Sequence, residues 1–253
     1  MLKVWAFLLI GFSAGTQASD PLRFAVSATY PPFVYFNEGH QLVGFDIDLA
    51  KALCEKVQRQ CTFANSDFDR LLPSLKFNRF DAVISGLDIT EERRAQADFT
   101  QSYLESSATV IALKNHYASF SQLKGKRVGV ADATTLQAWL QSSWPEIVTV
   151  SYDNYQNALL DIRNARLDGI FGETPSMQAM IKANPDLAVV GEPVTDARYF
   201  GSGLGIAVHK GNNALLVQLN TALQSMTADG TLQALRLRWF GSASPLPAES
   251  KSP

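Results

Sequence analysis

The segment DAVISGLDITEERR, residues 81–94, begins as a buried strand and turns polar within one residue. Ala82, Val83 and Ile84 give way to Ser85, Gly86, Asp88 and Thr90, then to two glutamates and two arginines. In open α/β sheets, ligands dock at strand ends. A hydroxyl, a carboxylate and a guanidinium at one such end suit a guest that carries both signs of charge. A second segment, DGIFGE, follows the same plan and ends at Glu173. Between the two, ADATT places Thr134 and Thr135 at a helix start, where free backbone N–H groups favour an anion. Arg93 and that helix start can hold a carboxylate through paired hydrogen bonds, while Asp88 and Glu173 can hold an ammonium. Those two demands describe the head of an α-amino acid.

Each of these residues also has a plainer reading. Arg93 lies in TEERRAQ, which fits a charged, solvated helical turn equally well. For Glu91, Glu92 and Arg94 the solvated turn is the reading adopted. Asp88 also fits a helix cap. Tyr30 leads a Pro-Pro turn after the first strand, and Phe68 follows a polar loop after the second. Two rings at that rim can sandwich a flat guanidinium, at about 0.5–2 kcal/mol per contact. With fifteen Phe in the chain, a core position is the competing reading, more strongly for Phe68 than for Tyr30.

The elements that must position these residues alternate. LRFAVS reads as a strand, TYPPF as a turn fixed by two prolines, and GFDIDLAKALCEKVQRQ as a helix. That helix carries Ile47, Ala50, Leu53, Cys54 and Val57 on one face, with Asp46 or Asp48 suiting its first turn and Arg59 its end. CTFAN is a strand, RLLPSLKF a short helix with Pro73 in its first turn, and DAVISG a strand. The alternation predicts a mostly parallel sheet with both faces covered.

From LKGKRVGVADATT the pattern restarts: strand RVGVA, helix TLQAWLQSSW, strand EIVTVSY, helix NYQNALLDIRNAR and strand DGIFGE. LKFNRFDAVISG lines up with IRNARLDGIFGE at the same stage of the two runs, which favours two similar lobes over one continuous sheet. YFGSGLGIAVHK leads into a strand, so it is not the helix-opening dinucleotide fingerprint. Its glycines suit a chain crossing between lobes. Two amphipathic helices follow, stopped by Gly230 and Gly241, and residues 242–253 are expected to be a disordered tail.

Composition removes several classes. The formal net charge is -2, and no run of five like charges occurs, so a nucleic-acid surface is excluded. Lys3, the apolar run of residues 4–12 and the small-residue site TQA form an export signal over residues 1–18. The run is too short to span a bilayer, which takes about 20 residues. Cys54 and Cys61 are expected to pair in an oxidising compartment, with a redox or metal pair as weaker readings. His40, His116 and His209 lack ligand spacing, so no metal or other cofactor is expected.

The motifs VSATYPPF, LVGFDIDLAKALCEKVQRQCTF, LLPSLKFNRFDAVISGLDITEERR, LKGKRVGV, VSYDNYQNALLDI and YFGSGLGIAV together resemble the periplasmic binding proteins of polar amino-acid ABC importers. The resemblance runs to about Gly241 and is strongest to the arginine binders, then to the lysine/arginine/ornithine and histidine binders. It implies a two-lobed α/β fold of the type II periplasmic binding class, with a hinge of two crossing strands and a cleft between lobes. Lobe 1 would be residues 19–106 plus 203–241, and lobe 2 residues 107–202. The implied function is a soluble, monomeric periplasmic receptor for a basic L-amino acid, L-arginine foremost, serving a membrane permease. By the same likeness Arg93, with backbone N–H groups at Gly86 and Thr135, binds the ligand carboxylate. Glu173 binds the ammonium with Asp88 sharing it, Tyr30 and Phe68 flank the side chain, and Ser27 and Ser85 are polar pocket positions. Cys54 and Cys61 match the family disulfide.

Three departures bear on the ligand. Glu173 stands where close relatives carry Asp, a reach about 1.5 Å longer. Ser27 replaces the aspartate of lysine and ornithine binders, and Ala133 and Leu136 replace a glycine and a polar residue. The alternative is a cleft lyase of the same fold, akin to cyclohexadienyl dehydratase, with Glu173 as acid or base.

Overall fold

The computed structural model describes residues 20–241, so the expected export signal and C-terminal tail lie outside the described residues. One sheet has the strand order Cys61–Asn65, Leu22–Val26, Ala82–Val83, Ala207–His209, Ala97–Phe99. Its first three strands are parallel, and Ala207–His209 is antiparallel to both neighbours. A second sheet runs Val148–Tyr152, Arg127–Ala131, Gly169–Glu173, Ala108–Leu113, Leu187–Val194, again with three parallel strands followed by an antiparallel one. The two sheets therefore share one plan, and their parallel strands all end towards the same gap.

The repeated segment has a physical cause. Asp81 and Asp168 each open the third parallel strand of their sheet. Asp81 Oδ2 accepts the backbone N–H of Arg23 at 2.9 Å, and Asp168 Oδ2 accepts that of Arg127 at 2.9 Å. In each case the aspartate clamps the start of the middle one of the three parallel strands. Asn78 and Ala165, three residues before each aspartate, both take left-handed backbone with φ of 51° and 54°. The echo in sequence is thus one helix-to-strand turn built twice.

Helix Phe45–Lys56 packs with helices Asn213–Ala228 and Thr231–Phe240 on one face of the first sheet. Phe45, Ile47, Leu49 and Leu53 are buried there with Leu219, Leu223 and Met226. The helix stops earlier than its apolar pattern predicts: Gln58 turns left-handed, and the Arg59 side chain donates from Nε to the Asp20 carbonyl at 2.8 Å. That reversal brings Cys61 back to Cys54, and the two form a disulfide. The second sheet buries Val128, Val130, Trp139, Leu140 and Phe171 on one face. Leu136 belongs to this core, which accounts for an apolar residue at that position.

The chain passes from the first sheet to the second just before Ala108 and returns before Ala207. The two passes touch: Leu204 bridges both Asp88 and Leu104, and Gly201 bridges Ile89. Gly201 has φ 59°, and a Cβ there would lie 1.8 Å from the Ile89 carbonyl oxygen. At Gly203 a Cβ would fall 2.5 Å from the Leu104 carbonyl oxygen. The glycines thus serve close backbone approach at the crossing.

Gly201→Ala is expected to lower unfolding free energy by at least about 2 kcal/mol, because backbone strain and displacement combine. Denaturant titration measures this, and a wild-type midpoint would show that the crossing has slack to absorb a methyl group.

Candidate functional site

The ends of the parallel strands in both sheets enclose a cavity of about 420 Å³. Ser27, Tyr30, Phe68, Ser85, Gly86, Asp88, Arg93, Thr135 and Glu173 all line it. The wall also includes Asp67, Asp69, Asp132 and Asp153, which the sequence reading did not single out.

The floor is the turn after Ala82–Val83. Ser85 Oγ accepts the backbone N–H of Ser27 at 3.0 Å, tying two strand ends together. The backbone N–H of Gly86 donates to Asp46 Oδ2 at 2.7 Å. This corrects one implication of the family likeness, because that N–H is engaged by a protein carboxylate rather than held out for a ligand. Asp46 is 0% exposed, and burial pushes its carboxyl up to about 7, opposed by the Gly86 hydrogen bond, while Oδ1 has no hydrogen-bond partner among the described residues. Sequence reading took Asp46 as a first-turn residue suited to the helix dipole. A sharper signal was present: Asp46 shares the i, i+3, i+4, i+7 stripe with Leu49, Ala50 and Leu53, so it had to face the core.

Arg93 sits in the short helix Glu91–Gln96, whose N-cap is Thr90. Its side chain is 12% exposed, which rejects the solvated-turn reading, whereas Glu91, Glu92 and Arg94 are exposed. The Arg93 guanidinium donates to the Asp88 backbone carbonyl at 3.2 Å and lies 5.6 Å from the Phe68 ring centre. Phe68 is therefore a cleft residue whose ring supports Arg93, as well as a neighbour of the core. Tyr30 instead packs between Phe33 and Tyr155, at centroid distances of 5.6 and 5.5 Å.

Asp88 is not a helix cap, since Thr90 takes that place. Its carboxylate accepts the hydroxyls of Ser106 and Thr135, each at 2.5 Å, with the Arg93 guanidinium at 3.9 Å. Burial raises its carboxyl, opposed by Arg93 and the two hydroxyls. Burial likewise lowers Arg93, opposed by Asp88 and Glu92.

Across the gap, Thr134 caps helix Thr135–Ser143 and leaves Thr135 at its first turn. The preceding Ala133 has φ 56°, a conformation that favours glycine. Glu173 ends its strand and caps helix Thr174–Ala183, with Pro175 in the first turn. Its backbone N–H donates to the Tyr30 hydroxyl at 3.1 Å, a direct contact between the lobes. Glu173 is 5% exposed, and its Oε2 is buried without a hydrogen-bond partner among the described residues. Burial pushes it up to about 8. An incoming cation would satisfy that oxygen and draw the group back to its ionised form.

The stability consequence has a definite sign. Glu173 has a folded-state value near 8, above the unfolded value near 4.5, so the folded protein holds a proton that the unfolded chain releases. Its contribution to stability is full below about pH 4.5 and is lost as pH rises towards 8. Asp46, at about 7, acts in the same direction. Ligand-free protein is expected to melt at lower temperature at pH 8 than at pH 5.5, and Glu173→Gln to flatten that slope. Identical slopes in wild type and variant would place the titration elsewhere.

Residues 22–242 match the family model of bacterial extracellular solute-binding proteins, family 3. The chain is 54% identical over 237 residues to ABC transporter arginine-binding protein 1 of Escherichia coli (strain K12), covering 94% of this chain and 98% of that protein. It is 40% identical over 241 residues to the arginine-binding periplasmic protein of Mannheimia haemolytica, covering 95% and 99%. Its structure is similar to that of a Salmonella typhimurium periplasmic binding protein described as highly arginine-specific: TM-score 0.83, 44% identity, covering 88% of this chain and 100% of that one. These relatives are transport binding proteins, not enzymes, and the dehydratase alternative is not favoured. A family match over nearly all of the described chain, on a two-lobed fold with a polar cleft, places the protein among the bacterial extracellular solute-binding proteins, family 3.

Proposed function

We propose that the protein is a periplasmic receptor that closes on a basic L-amino acid, L-arginine foremost, and delivers it to the permease of an ABC importer. The observation that carries this reading is the charge of the cleft. Six acidic side chains line it, from Asp67, Asp69, Asp88, Asp132, Asp153 and Glu173, against one guanidinium, from Arg93; even with Asp67 paired to Arg70 at 3.4 Å and Glu173 holding a proton until a cation arrives, acid is in surplus. The head of any α-amino acid brings one charge of each sign. A second cation on the guest is what the surplus of carboxylates favours.

In this reading Arg93 and the N–H groups opening helix Thr135–Ser143 hold the ligand carboxylate. Glu173 holds the ammonium, since its Oε2 lacks a protein partner among the described residues. Tyr30 and Phe68 bound the side chain, with Ser27 and Ser85 as polar contacts. Closure excludes water and strengthens each charged pair. It follows ligand binding because the two lobes, residues 19–106 plus 203–241 and residues 107–202, each supply part of the contacts. The Cys54–Cys61 disulfide fits an oxidising, exported setting. The receptor acts as a monomer, and the permease partner follows from the family.

Titration calorimetry on ligand-stripped protein should show arginine bound ahead of lysine, histidine and glutamine. Tighter binding of glutamine or an acidic amino acid overturns the basic-ligand reading. Arg93→Ala is expected to cost about 3 kcal/mol of affinity, by loss of a charge-assisted pair in a closed site. Unchanged affinity would move the carboxylate site away from Arg93.

A further inference from the structure

The family likeness gives Asp88 a share of the ligand ammonium, but the structure commits its carboxylate elsewhere. Asp88 is 2% exposed, and both of its oxygens accept protein hydroxyls. Three separate parts of the molecule converge on it. Ser106 lies on the pass from the first sheet to the second, between Leu104, bridged to Leu204, and the strand that begins at Ala108. Thr135 opens a helix of the second lobe. Arg93 belongs to the first lobe, and its guanidinium also takes the Asp88 backbone carbonyl. The Ser106 contact can persist while the lobes part, because Ser106 sits on the crossing itself. The Thr135 contact cannot, because its helix moves with the second lobe.

We propose that Asp88 is a closure latch: its carboxylate joins Thr135 across the cleft only when the lobes meet, and it positions Arg93 rather than binding the ligand ammonium. This rests on the reading of the protein as an amino-acid receptor. A latch of this kind forms after the ligand has entered, so it slows departure without changing arrival. It also acts equally on any guest that permits closure, whether or not that guest carries an amine.

Stopped-flow kinetics on the full mature protein tests both consequences. Thr135→Val removes the hydroxyl and keeps the backbone N–H. It should raise the dissociation rate of arginine about tenfold and change the association rate by less than about twofold, since a charge-assisted hydrogen bond is lost from the closed state alone. In an Asp88→Asn background the same substitution should add less than about half of that effect, because the partner carboxylate is already gone. The rise should be equal for δ-guanidinovalerate, which is arginine without its amine, whereas Glu173→Gln should weaken arginine far more than δ-guanidinovalerate. The latch is overturned if Thr135→Val acts on association alone, if its effect is fully additive with Asp88→Asn, or if the effect disappears with the amine-free ligand. The kinetics are read with whichever amino acid wild-type protein binds, so a ligand other than arginine counts against the preceding reading and not against the latch.

Discussion

A carboxylate taken out of water must find a cation or hydrogen-bond donors, or else keep its proton. Three carboxyls around this cleft meet that constraint in three ways. Asp46 takes the Gly86 backbone N–H and so fixes the floor of the site. Asp88 takes two hydroxyls and a nearby guanidinium and so joins the walls. Glu173 has an oxygen that nothing among the described residues satisfies. Asp88 is satisfied inside the protein, whereas Asp46 keeps Oδ1 unpaired among the described residues but does not line the cavity. Of these two unpaired carboxylate oxygens, only that of Glu173 belongs to a residue lining the cavity, which supports the proposal that it meets the guest.

The fold makes the difference possible by building one lobe plan twice. Asp81 clamps Arg23 and Asp168 clamps Arg127, tying two neighbouring parallel strands together at their starts in each sheet. Both sets of parallel strands then end at the shared gap, with Ser27 and Ser85 on one side and Glu173 on the other. Tyr30 completes the arrangement. Its ring packs on Tyr155 and its hydroxyl accepts the Glu173 backbone N–H, so the two halves meet through an aromatic group with a polar tip.

Much of this was legible in the sequence. The strands that were readable are short apolar runs such as LRFAV and RVGVA, because both faces of each sheet are covered, whereas ATVIAL went unread. The glycines of YFGSGLGIAV were readable as a crossing because they lead into a strand. Arg93 was not decidable, since a charged helical turn has the same composition whether it faces solvent or a cleft. Only its tertiary neighbours, the Phe68 ring and the Asp88 carbonyl, separate it from Arg94. The use of the Gly86 N–H was hidden for a similar reason: its acceptor, Asp46, lies in a different element, and no local pattern connects the two. The helix end at Lys56 was misjudged because the left-handed turn at Gln58 and the hold of Arg59 on the Asp20 carbonyl, a contact with a distant segment, stop the helix short of its apolar pattern.

The strand Ala207–His209 lies between Ala82–Val83 and Ala97–Phe99. One half of the molecule is therefore inserted within the other in chain order, and the first sheet lacks a middle strand until nearly the whole polypeptide has been made. A ribosome delivering this chain completes the second sheet, residues 108–194, while the first still has a gap between Ala82–Val83 and Ala97–Phe99 that Ala207–His209 must fill. The architecture that permits hinged closure therefore makes the lobe that begins the chain the last one to be finished.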